Sequence, residues 1–158
     1  MRQSMQKLIH ADELLCHQTP ETFATISHAD TSWTEKLWSS LFAREGSIQV
    51  DIGLGKYHNR NVMDMFAGVS RGKEQLTVRA SRQLDLDGER IGVGPLDYEV
   101  IEPLRQVRWV LQENDVVPLR FDLTVTGVLP PFLEQKDAQR EPQGFRVQSD
   151  LLRYHQAS

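Results

Sequence analysis

Between Lys56 and Asp64 the chain gathers an amine, a phenol, an imidazole, two amides, a guanidinium and a carboxylate within nine positions: Lys56, Tyr57, His58, Asn59, Arg60, Asn61 and Asp64. Groups of these types orient the polar end of a ligand or move a proton as acid and base. Asp64 and Tyr57 are the candidates for proton transfer. Asp64 lies in an apolar run between Met63 and Met65, where a buried carboxylate needs a partner and holds its proton more tightly. Two plainer readings stand beside this one. The break is also a solvated hairpin loop of the kind in which such residue types collect, and in a two-residue period Asp64 shares a face with Val62 and Phe66 and points outward.

Other chemistries find less in the sequence. Gly53-Leu54-Gly55-Lys56 lacks the spacing of a phosphate-binding loop, and no helix follows it to offer its N-terminus. The five histidines, at 10, 17, 28, 58 and 155, form no pair at metal-ligand spacing, so neither a metal nor a cofactor is expected. Ser70 and Ser81 have no nucleophile-elbow context. Cys16 and His17 are neighbours on a helical pattern, and adjacent helical positions do not face each other.

The aromatic residues suggest a binding role. Trp38, Phe66, Trp109 and Phe121 sit in strand-like runs, with Thr, Ser or Arg nearby; in a β-barrel such a mix lines an apolar cavity and fixes the orientation of a ligand. The competing reading is ordinary core packing, because sheets favour aromatics that fit the pleat. Arg79, Arg108 and Arg120 on the same runs read as solvent-facing.

The elements that must position these residues are strands. Residues 1–31 read as a helical lead-in, with Leu8, Ile9, Leu14 and Leu15 at helical spacing and Thr19-Pro20 as a cap with a first-turn proline. From Trp33 the period is two. Ile48, Val50, Ile52 and Leu54 alternate with Gln49, Asp51 and Gly53, the pattern of a sheet buried on one face. A hairpin with 62–69 follows, then strands at 76–81, 91–100, 106–111, 119–126 and 145–152, separated by turns such as Asp85-Leu86-Asp87-Gly88. About eight strands with no intervening helix predict an all-β antiparallel barrel or sandwich over residues 32–158. The last run continues to His155 without a turn signal. It predicts an edge strand offered to a second β domain or to a second copy in a homodimer, or a chain that is the first half of a longer protein.

Composition bounds the function. The 158 residues are 25% charged and 39% hydrophobic, with a net charge of −4, which suits one globular domain and gives no basic stripe for nucleic acid. No apolar run approaches the ~20 residues of a membrane span. The single cysteine and the absence of a signal-peptide pattern at Met1–Lys7 predict a reducing, cytoplasmic setting.

One resemblance adds to this. The stretches Ser32-Trp33-Thr34-Glu35-Lys36, Asp51-Ile52-Gly53-Leu54-Gly55-Lys56-Tyr57, Asn59-Arg60-Asn61-Val62-Met63-Asp64, Phe66-Ala67-Gly68-Val69-Ser70-Arg71-Gly72, Thr77-Val78-Arg79-Ala80-Ser81-Arg82 and Gly94-Pro95-Leu96-Asp97-Tyr98-Glu99-Val100 resemble a group of uncharacterised bacterial proteins. That group is similar to the hydroxyneurosporene synthase, or carotenoid hydratase, superfamily of lipocalin-related proteins. The resemblance runs from Asp12 to His155 and implies a lipocalin-like barrel. It also implies either an apolar small molecule as ligand or hydratase- or cyclase-like chemistry on an isoprenoid-type substrate. Members of that superfamily carry two such barrels in about twice this length, so this chain corresponds to the N-terminal half.

Overall fold

The structure is a computed structural model that describes residues 8–13, 31–85, 90–134, 139–141, 144–146 and 154–158. Most of the helical lead-in, Cys16 included, lies outside the described residues, as do residues 86–89 of the predicted turn and 147–153 of the predicted last strand. The described part of the lead-in is a single 3-10 turn, His10–Glu13.

Two four-stranded antiparallel meanders make the domain. The first runs β1 (Glu35–Phe42), β2 (Ile48–Tyr57), β3 (Val62–Arg71) and β4 (Glu74–Gln83), paired in that order. The second runs β5 (Gly92–Val93), β6 (Leu96–Glu102), β7 (Gln106–Leu111) and β8 (Phe121–Thr126). The fold is therefore all-β, as the two-residue period predicts. No ladder joins the two meanders, so the barrel alternative is corrected: the described strands form two separate sheets and do not close.

Alternation decides what each strand buries. Ile52 and Leu54 of β2, Met63, Met65 and Ala67 of β3 and Val78 of β4 turn inward, and meet Leu96, Tyr98, Trp109 and Leu111 of the second sheet in one core. Trp109 is 1% exposed; its ring lies 4.5 Å from that of Tyr98, and its Nε1–H donates to Ser39 Oγ on β1 at 3.0 Å. One side chain thus both fills the space between the sheets and bonds across it. A buried indole needs that acceptor, since its N–H otherwise loses its water partner without replacement.

The later segments are short. β9 (Phe132–Leu133) pairs with β12 (Tyr154–His155), and β10 (Gln139–Glu141) with β11 (Gly144–Arg146). The described pieces of the predicted last strand each pair on one side within the chain, and residues 147–153 between them lie outside the described residues. The following residue, Gln156, donates from Nε2 to the carbonyls of Leu104 (2.7 Å) and Leu129 (3.1 Å), and Val128 N–H donates to Ala157 O at 2.9 Å. Leu104 itself turns the chain between β6 and β7 with φ of 61°, a left-handed conformation that costs a branched residue about 1 kcal/mol. Its N–H donates to the Glu13 carboxylate. Both backbone polar groups of one strained residue are thus held by residues remote in sequence.

Candidate functional site

The polar break that opens the sequence reading is the junction of β2 and β3. Tyr57 ends β2, His58–Arg60 form one 3-10 turn, and Asn61 closes it with φ of 55°. Asn tolerates this left-handed position because its short amide bonds locally. Here Asn61 Oδ1 accepts from Asp85 N–H at 2.8 Å and its carbonyl accepts from Leu84 N–H at 3.2 Å. The junction is thereby pinned to the end of β4.

Strand alternation splits the polar cluster between the two sides of the first sheet. On the inner side, Lys56 is 2% exposed and stands in register with Glu35 of β1 and Met63 of β3. His58 Nε2 lies 3.3 Å from Glu35 Oε2, with both side chains 11% exposed, but the two atoms do not meet in hydrogen-bonding geometry. Glu35 was legible as a charge on the same face as Leu37; the sequence offered no sign that His58 would reach it.

On the outer side lie Tyr57 and Asp64, the two proton-transfer candidates, and the structure brings them together. The Tyr57 hydroxyl donates to the Asp64 carboxylate. Partial burial, and then the Asp64 charge and hydrogen bond, raise the phenol above its usual 10.0, with Arg60 opposing. A phenol so held stays protonated at neutral pH and acts as a donor, not as a base. Its ring lies over Gly55: a Cβ there would stand 2.5 Å from the Tyr57 hydroxyl and 2.7 Å from Cζ. Only glycine leaves room for the ring. Lys36 Nζ and the Arg60 guanidinium lie 5.8 and 5.9 Å from the same ring's centroid, within cation–π range.

The next outward row repeats the arrangement. Trp38, Gly53, Phe66 and Arg79 are cross-strand neighbours on β1 to β4. Phe66 lies across Gly53, where a Cβ would stand 2.6 Å from Phe66 Cε1. Trp38 is 67% exposed. In the row beyond, Asp51 accepts from Ser40 Oγ and from Gln49 Nε2, both at 2.6 Å.

The four predicted ligand residues therefore divide between two places. Trp38 and Phe66 share the outer face of the first sheet, whereas Trp109 is in the core and Phe121 packs against it. They do not line one cavity, because the parity of β1 and β3 turns Trp38 and Phe66 away from the interior that Trp109 fills. Among the described residues, no three His, Cys, Asp or Glu side chains come together as a metal-holding group, and no helix is long and apolar enough to cross a membrane.

No match to the chain is found among curated proteins or among solved structures. One family model matches residues 8–158, nearly the whole chain, and by it the chain belongs to DUF8625, a family of unknown function.

Proposed function

We propose that this chain is a binding domain that takes an apolar small molecule with a flat ring or conjugated surface on the outer face of β1 to β4. The observation that carries the reading is Trp38: a large indole, 67% exposed, in mid-strand beside a glycine over which Phe66 is laid. Exposing an aromatic ring of this size forgoes burial of the order of 1.5–3 kcal/mol for a large apolar side chain, and a ring held on a sheet gives contact area at little entropic cost. Phe66 lies over Gly53 and Tyr57 over Gly55, so a planar molecule has a shelf of rings beside Trp38 to lie on. Ser40, Gln49 and Asp51 at the rim supply polar contacts that fix orientation.

Native mass spectrometry of the purified chain tests this, with added planar apolar compounds as probes. The expected result is stoichiometric uptake by the native chain and loss of uptake in Trp38→Ala with unchanged circular dichroism. Equal uptake by both proteins overturns the reading.

The Tyr57–Asp64 contact favours a second reading, hydratase- or cyclase-like chemistry on an isoprenoid-type substrate lying on the same shelf, with Tyr57 and Asp64 as the proton-transfer pair. Turnover that Tyr57→Phe abolishes would support it. Retention of turnover by that variant would exclude it.

A further inference from the structure

We infer that the molecule taken on this face is a planar aromatic carboxylate, its ring stacked on Trp38 and its acid group between Lys36 and Arg60. The inference rests on the binding reading above and adds the charge of the ligand to it.

Most cations at the second sheet have carboxylate partners, Arg120 before β8 having none at ion-pair distance among the described residues. On the second sheet, Arg108 meets Asp122 at 2.6 Å and Glu99 at 3.4 Å, Arg105 meets Glu102 at 2.9 Å, and Arg90 meets Asp97 at 3.7 Å. On the outer face of the first sheet, Lys36, Arg60 and Arg79 have no carboxylate at ion-pair distance among the described residues. The two carboxylates of that face are already engaged by neutral donors: Asp51 by Ser40 and Gln49, and Asp64 by the Tyr57 hydroxyl. In a chain of net charge −4, these three cations thus stand around the exposed aromatic surface without carboxylate partners among the described residues.

Placement makes two of them an anchor. Lys36 lies two residues before Trp38 on the same face of β1, about 7 Å away along the strand. Arg60 comes to the same aromatic ring from the β2–β3 junction, both cations lying within 6 Å of the Tyr57 centroid. Its Nε donates to the Thr31 carbonyl at 2.7 Å, which fixes the guanidinium, and among the described residues its terminal nitrogens have no carboxylate at ion-pair distance. An ammonium and a guanidinium one step from a stacking ring match a ligand whose acid group is attached directly to a flat ring. A long aliphatic acid fits less well, because the shelf offers ring faces, which a flat ring covers better than a chain does.

Naphthalene-2-carboxylate and its neutral analogue naphthalene-2-carboxamide are the probes, titrated into the full chain while the Trp38 indole N–H signal is followed by NMR. The carboxylate is expected to shift that signal and to bind about five-fold more tightly than the amide, the scale of one exposed ion pair. The preference should shrink as salt is raised and vanish in Lys36→Gln, an exposed substitution that leaves the fold intact. Equal binding of acid and amide at Trp38 overturns the charge inference and leaves the shelf standing. No shift of Trp38 by either probe overturns both.

Discussion

Replacing Trp109 with Phe tests how the two sheets are held. The substitution keeps a ring against Tyr98, whose centroid is 4.5 Å away, but removes the N–H that bonds Ser39 at 3.0 Å. The indole is larger than a phenyl ring by roughly 40 Å³, which at about 24 cal/mol per Å³ of residual cavity costs ~1 kcal/mol. The lost hydrogen bond adds ~1 kcal/mol. The sum, about 2 kcal/mol, should lower the melting temperature by roughly 4–8 °C for a domain of this size. Ser39→Ala removes the bond alone and should cost ~1 kcal/mol. Because the bond is shared, the double variant should cost about 2 kcal/mol and not the 3 that simple addition gives. Urea unfolding followed by far-ultraviolet circular dichroism measures all four proteins, and an unchanged slope against denaturant shows that the unfolding reaction is the same. A cost below ~0.5 kcal/mol for Trp109→Phe, or full additivity in the double variant, would refute the view that this indole bonds the sheets together.

Two further outcomes follow from the same geometry. Burial raises the Glu13 carboxyl above its usual value of 4.5, against the lowering effects of the Leu104 N–H and His10; the folded protein therefore holds this proton more tightly than the unfolded one. The associated stability is fully present below pH 4.5 and is lost as pH rises through the folded value, so the stability difference between the native chain and Glu13→Gln should change across that window and be level on either side. A difference that is flat with pH would show that Glu13 is not buried in solution. Gly55→Ala places a Cβ 2.5 Å from the Tyr57 hydroxyl, so the ring should leave Asp64 and its raised pKa fall back toward 10.0, read by ultraviolet absorbance titration. An unchanged titration would refute the contact.

What the sequence disclosed was whatever alternation and turn chemistry control. Ile48 to Leu54 as a half-buried strand, its hairpin with 62–69, and the turn at Asn61 all follow from period two and local bonding, and β2, β3 and Asn61 lie where these rules put them. Parity also placed Asp64 with Phe66 on one face. It could not say which face was inward, and that choice separates Trp38 and Phe66 from Trp109 and Phe121. Contacts that depend on distant pairings were not legible: Glu35 comes within 3.3 Å of His58 only because β1 and β2 are antiparallel in one particular register. A shift of one residue would have exchanged the two faces. The glycines at 53 and 55 were visible, but their reason, a ring lying over each, needed the neighbouring strand and the rotamer as well.

The anchoring of Leu104 has a kinetic meaning. Its N–H is bonded by a residue 91 positions earlier and its carbonyl by one 52 positions later, whereas most of the strand pairing joins neighbours along the chain. Local hairpins close quickly and distant contacts close slowly, because the entropy of a long loop is lost before the contact returns anything. Both meanders can therefore assemble while this turn is still strained and half-satisfied. During synthesis it waits until Gln156 has emerged, long after β6 and β7 are made. The β6–β7 turn would then be among the last parts to settle, and the first to loosen when either remote residue is withdrawn.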